Sequence, residues 1–536
     1  MNKKILFFIF SVSMQLFPIA ALSITINTVT GTGDSPPMNI NSLLPIVNND
    51  SLANFQVNQL MFTYVIFIND HLSVDWNRSL AKSIKFEKSN TEVNIKLKRW
   101  LWSNGKLISA RDLVYGFDII KNYGLRYPNY GMGGIPYIIK RIKVINSDEV
   151  RLYLKHEVNP IWFELNGISQ LVPLPFFAWK NYSLEYIVNH QTDPSLLKYS
   201  DGPYRLDNFY PGRYLSLKIN NHFSGIFPRP NKIIFHMVSS SGVEFWGLKS
   251  GNINLGNVPH LLLPARHLVD HLTSCITNGG YGINYIPINF HNSSISFLKN
   301  VLVRRALELT INQKKIIKIA YHGFGTPDYS PVPADPYTFL SPEMKLAVMH
   351  PESRYSIRKA DYFLHKSGWL KNKSGIREKN GKILKFNMMV CSASRTNRIV
   401  AEILQDEWRK IGVIVDIKLV PFNVELSNLG NPMKWQTAII PWVYSPDYYP
   451  SGDGLFNTAG GTNYGGYSNP EMDRLIHETT VKNNKLYLFS YQDFAAKNLP
   501  VLFLPMPKYL VKYSPVIKLS DINMSLSLVG CGGSTS

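Results

Sequence analysis

Residues 442–476 read WVYSPDYYPSGDGLFNTAGGTNYGGYSNPEMDRLI, rich in Tyr, Gly and Asn and poor in charge. Asp447 stands among aromatics and prolines, a carboxylate able to meet a polar group. Trp442, Tyr444, Tyr448 and Tyr464, with Asn463, supply apolar walls with polar tips around it. That chemistry is recognition rather than turnover. So many turn formers argue for an ordered loop instead of a core strand. The plainer alternative is a surface loop in which Asp447 caps a turn. At the end of the segment, Ser468-Asn-Pro-Glu471 reads as a capping box with Pro470 in the first helical turn.

Other chemistry-bearing residues give less. His267, His271 and Cys275 recur at i, i+4 and i+8, which would put them on one helix face, and such a set suits zinc or nickel. Leu261–Leu263 and Leu272 make an amphipathic helix with incidental histidines the simpler reading, so no metal or cofactor is assigned. No nucleophile elbow, HExxH, P-loop or CxxC motif occurs, and no catalytic residue or reaction is assigned. The cysteines are Cys275, Cys391 and Cys531. An odd count leaves one thiol free, and a Cys275–Cys391 bridge is conceivable in an oxidising compartment.

The elements that must hold the loop alternate short strands with medium helices, which argues α/β. Val93, Ile95 and Leu97 alternate with Asn94, Lys96 and Lys98 as in a half-buried strand, and Asn104-Gly105 signals a turn. Ser109 with Asp112 caps a helix faced by Leu113, Phe117 and Ile120 and stopped by Gly124. A second unit begins at Val303, with Asn312 capping a helix that Gly323 ends. A third helix, from Asn397 to Gly412, precedes a strand in which Val413, Val415, Ile417 and Leu419 alternate.

The 536 residues suggest several domains, and 45% apolar content supplies large cores. The formal charge is +20, of which Lys3 and Lys4 contribute two. The basic residues are scattered, so solvated faces explain them and no nucleic-acid partner is assigned. Lys3 and Lys4, an apolar run from Ile5 to Ala21, and the small residues Ala21 and Ser23 read as a secretory signal peptide over residues 1–23. No Cys stands at the cut, so no lipoprotein anchor is assigned.

Five patches, in order, resemble the family 5 extracellular solute-binding proteins of ABC importers, the peptide- and nickel-binding group. Trp102-Ser-Asn-Gly105 with Ser109-Ala-Arg-Asp-Leu-Val-Tyr-Gly-Phe117 is similar to W-S-D-G…T-A-x-D-V-x-x-S-F, with Asn104 for Asp. Gly202-Pro-Tyr204 followed by Pro211-Gly-Arg213 resembles G-T-G-P-Y with its basic hairpin. Val303-Arg-Arg-Ala-Leu307 with Ile311-Asn312 is similar to V-R-x-A…A-I-D, and Ala360…Leu364…Gly368-Trp369 to A-x-x-L-L-x-x-A-G-W. In the aromatic loop, Asn463, Gly466, Tyr467, Asn469, Pro470, Asp473 and Leu475 match N-x-x-G-Y-S-N-P-x-x-D-x-L. Asp447-Tyr448 fits the preceding W-x-x-D-Y-x-D-P-like segment loosely, and Ser445 is the other residue that fits the acidic position.

The resemblance implies a two-lobed periplasmic-binding-protein fold with a hinge, plus an extra subdomain in the first lobe. It places lobe I at 24–60 and 180–285, the extra subdomain at 61–179, lobe II at 286–499 and a return to lobe I at 500–536. It implies a periplasmic, monomeric solute-binding protein that captures short peptides by lobe closure and delivers them to an ABC permease. Asp447 would then pair with the ligand's α-ammonium. Alternatives are a nickel chelate, haem or an oligosaccharide in the same fold, or, in another class, an exported chaperone-like protein or hydrolase.

Overall fold

The computed structural model describes residues 24–30, 40–46, 52–278, 280–518 and 520. The leader reading at 1–23 and Cys531 lie outside them. The architecture is mixed α/β, with seven small sheets among the described residues.

A four-stranded sheet joins Ile24–Val29 in parallel to Pro230–His236, which continues antiparallel through Tyr214–Ile219 to Tyr204–Tyr210. Between its first two strands in sequence lies an antiparallel sheet in the order Ala81–Glu87, Glu92–Leu97, Glu149–Leu154 and Ile139–Asn146. Val93, Ile95 and Leu97 are buried as their alternation requires, and Asn94 is buried with them, bonded by Arg151. The helix Ala110–Tyr123 starts on the predicted capping box: the Asp112 carboxylate accepts from the Ser109 N–H and hydroxyl at 2.8 Å each. Asp112 also accepts from Phe176 N at 3.0 Å, so this motif acid ties the helix to the segment behind it.

A parallel unit forms farther along. Lys385–Cys391 runs into the helix Arg395–Lys410, which turns at Gly412 (φ +81°) into Ile414–Val420, parallel to the first strand. Val415 is buried, whereas Leu419 at the far end is 45% exposed. The motif residue Arg304 is buried and donates to four backbone carbonyls, those of Leu298, Lys299, Asn498 and Leu499. Its guanidinium thereby bolts the helix Val301–Glu308 to the end of the helix Lys485–Asn498. Asn312 caps Gln313–Ile319 by accepting from Lys315 N.

The junction is a three-stranded antiparallel sheet. Gly282–Pro287 sits between Ile440–Val443 and Val501–Leu504. A Cβ at Gly282 would stand 2.1 Å from Trp442 O, so only glycine lets the two strands close up. One strand thus fixes both the chain entering the aromatic loop and the chain leaving its final helix.

Two local expectations are corrected. The helix Pro470–Val481 is capped by Asn469, not Ser468: Asn469 Oδ1 accepts from Glu471 N and Met472 N, and the Ser468 hydroxyl bonds Thr458. Asparagine adjoining Pro470 caps as well as serine and sits one residue closer. His267, His271 and Cys275 share no helix face. The helical segment His260–Val269 is 3₁₀, carries Pro264 and ends before His271, and Cys275 lies in the strand Thr273–Thr277. Cys275 is disulfide-bonded and Cys391 is a free, buried thiol, so the Cys275–Cys391 bridge does not form.

Candidate functional site

The aromatic loop is held from three directions. Tyr444 N donates to Tyr281 O at 2.7 Å as the chain leaves the junction sheet, and the buried Tyr444 hydroxyl donates to Pro331 O at 2.6 Å. Asn463 holds the far end: its amide donates to Asn457 O and Tyr467 O and accepts from Tyr467 N. The middle is fastened by Asn166, in the π-helical turn Phe163–Gly167. Asn166 accepts from Tyr449 N at 2.6 Å, donates to Tyr449 O at 2.8 Å, and donates to the Asp447 carboxylate. Like a strand partner, it satisfies the backbone of a residue 283 positions away.

Asp447 is 3% exposed. Burial drives its carboxyl well above the ordinary carboxylate range, the nearby Asp453 charge adds to the effect, and the Asn166 donation opposes it. Among the described residues no lysine, arginine or histidine pairs with Asp447. Asp453 is also raised, first by burial, against bonds from the Ser451 hydroxyl at 2.8 Å and Gly454 N at 3.2 Å. The Tyr281 and Tyr491 hydroxyls lie in the field of Asp447; both are buried and, among the described residues, lack a hydrogen-bond partner. Buried Asp447, half-buried Asp453 and two buried hydroxyls thus form an acidic cluster whose chemistry suits a cation or a hydrogen-bond donor.

The predicted residues do not gather at one place. Asp447 and Tyr444 stand together at the acidic cluster, with the Tyr444 hydroxyl already spent on Pro331. Asn463 and Tyr464 instead line a small void beneath the loop, with Tyr285, Leu455 and Phe456. Trp442 is half-buried in the junction sheet opposite Ile283, its indole N–H without a partner among the described residues. Tyr448 bonds the Ser445 hydroxyl at 3.2 Å and feels the Arg78 charge. The sequence reading passed over Asn166, Asp453, Tyr281 and Tyr491. Asp453 lies in Ser-Gly-Asp-Gly, which reads as a turn; Asn166 lies in an ordinary helical stretch with no local signal.

Known proteins resemble this chain in sequence and in fold. The oligopeptide-binding protein AppA of Bacillus subtilis is 23% identical over 467 residues, covering 85% of this chain and 82% of the relative. The solved structure of B. subtilis AppA with a nonapeptide superposes with a TM-score of 0.73 at 20% identity, covering 94% of this chain and 99% of that one. NikZ from Campylobacter jejuni in complex with Ni(L-His) gives a TM-score of 0.73 at 22% identity, covering 93% and 95%. These likenesses show the fold to be that of the two-lobed binding proteins. The family model of bacterial extracellular solute-binding proteins, family 5, matches residues 76–466, a span from just before the Ala81–Glu87 strand into the aromatic loop, and the chain belongs to that family.

Proposed function

We propose that this solute-binding protein captures short peptides by their amino terminus and passes them to an ABC permease. The observation behind the reading is Asp447: a buried carboxylate, hydrogen-bonded by Asn166, with no cationic partner among the described residues. A peptide α-ammonium supplies the missing charge, and the peptide backbone adds strand-like hydrogen bonds that are indifferent to sequence. The peptide-binding names of relatives such as AppA support the same choice of ligand.

Capture proceeds by closure of lobe I (24–60, 180–285 and 500–536, with its subdomain 61–179) onto lobe II (286–499), the closed state being favoured by ligand. Closure removes water and strengthens the ammonium–carboxylate pair. The protein acts as a monomer without catalysis, exported to the periplasm after cleavage of residues 1–23. Among the described residues no helix is long and apolar enough to cross a membrane.

The test is a calorimetric titration with tripeptides and with the same peptides N-acetylated. Acetylation removes the positive charge and two N–H donors and adds a small acetyl group, and N-terminal formylation, with the smallest acyl group, serves as the size control. The expected result is saturable binding of the free peptides and a Kd rise of at least about 100-fold on acetylation. Equal affinity for the two forms contradicts amino-terminal capture.

A further inference from the structure

The loop carries a second acid for which a single ammonium leaves no partner. Asp453 sits in the turn Ser451–Gly454, where Gly452 adopts φ +78°. A Cβ on Gly452 would lie 2.0 Å from the Tyr491 hydroxyl oxygen. Glycine there lets that hydroxyl reach the turn, and it is fully buried without a hydrogen-bond partner among the described residues. Tyr491 feels the charge of Asp453 first and Asp447 second, so it stands by both acids. Trp162 faces Asp453 from the segment that also carries Asn166. Tyr137, 47% exposed and paired with Tyr130 at a ring-centroid distance of 6.4 Å, also lies in the field of Asp453.

Charge and shape agree here. The molecule is strongly basic overall, yet this site gathers two carboxylates. Among the described residues neither has a basic partner. Aromatic rings beside Asp453 would suit a side-chain cation, because ring faces attract ammonium and guanidinium groups. A peptide with an uncharged first residue answers Asp447 and leaves Asp453 facing the closed cleft unpaired.

We propose that Asp453, with Trp162, Tyr137 and the Tyr491 hydroxyl, forms a specificity subsite for the side chain of the ligand's first residue, selecting lysine or arginine there. The proposal rests on the peptide reading, since Asp447 must hold the α-ammonium for the first side chain to fall beside Asp453. Asp453 is the residue that sets the preference; the Ser451 hydroxyl and Gly454 N–H hold its carboxylate.

The experiment compares Lys-Ala-Ala with norleucine-Ala-Ala, nearly equal in length and differing in the terminal charge, against the wild-type protein and Asp453→Asn. Wild type is expected to bind the lysine peptide at least about 10-fold more tightly. Asp453→Asn is expected to bring that ratio close to one. The wild-type ratio needs no variant, so a folding defect in Asp453→Asn cannot rescue or sink the proposal. Tight binding of both peptides at equal affinity overturns the subsite and leaves amino-terminal capture standing. A preference that survives Asp453→Asn also overturns it. Binding of neither peptide removes the peptide reading and this inference together.

Discussion

Asp447→Asn is expected to raise the Kd for a free short peptide by at least about 100-fold, roughly 3 kcal/mol, because the ligand's ammonium would enter a dry site without a counter-charge. The same change is expected to stabilise the ligand-free protein, since the uncompensated carboxylate disappears. The pH dependence follows from the direction of the Asp447 shift, set by burial and then by Asp453. In the ligand-free state, between the ordinary carboxylate value of about 4 and the raised folded value, the native protein holds a proton that the unfolded chain has released. Stability from this group therefore falls as pH rises through that window and returns as pH falls. Other buried acids, such as Glu308 at about 8 and Glu425 at about 7, push in the same direction, so the informative quantity is the difference between wild type and Asp447→Asn. Melting scans from pH 5 to 8 should show a flatter profile for the variant. Ligand affinity has the opposite slope, because only the ionised carboxylate pairs with ammonium: peptide Kd should rise as pH falls. Parallel melting profiles with unchanged affinity would remove Asp447 from the account.

Asn166→Ala is the second large effect. Its amide satisfies both backbone groups of Tyr449 and one oxygen of Asp447 in a buried place. Truncation leaves the Tyr449 N–H and one Asp447 oxygen unpaired, while Tyr449 O keeps its bond from Ser451 N, a cost of about 2 kcal/mol. The Asp447 carboxyl also loses the one donor that favours its charged form, so it should protonate more readily and bind ammonium less well. The expected readouts are faster hydrogen exchange at the Tyr449 amide, a lower unfolding midpoint, and a weaker peptide Kd whose pH dependence moves upward. Unchanged exchange at Tyr449 would mean that the loop does not depend on this clamp.

Much of the scaffold was legible because its signals are local. Ser109 with Asp112, Asn312 before its helix and Gly412 before its strand each satisfy backbone groups within a few residues, and their types announce it. The family motifs turn out to mark scaffold more than site: Arg304 feeds carbonyls, Asp112 caps, and Asn463 folds its own loop. Spacing misled where periodicity lacked an element, as with His267, His271 and Cys275. Asn166, Tyr281 and Tyr491 escaped because their significance comes only from meeting Asp447 across more than forty residues of chain, in the case of Asn166 across 281. Asp453 escaped because a turn acid flanked by glycines looks the same whether it faces water or a buried carboxylate.

The most direct measurement is a crystal structure of the protein with a bound tripeptide. The account predicts the peptide's amino nitrogen within hydrogen-bonding distance of an Asp447 carboxylate oxygen, with Asn166 still donating to that carboxylate. An amino terminus bound elsewhere, with Asp447 facing only protein, would contradict it.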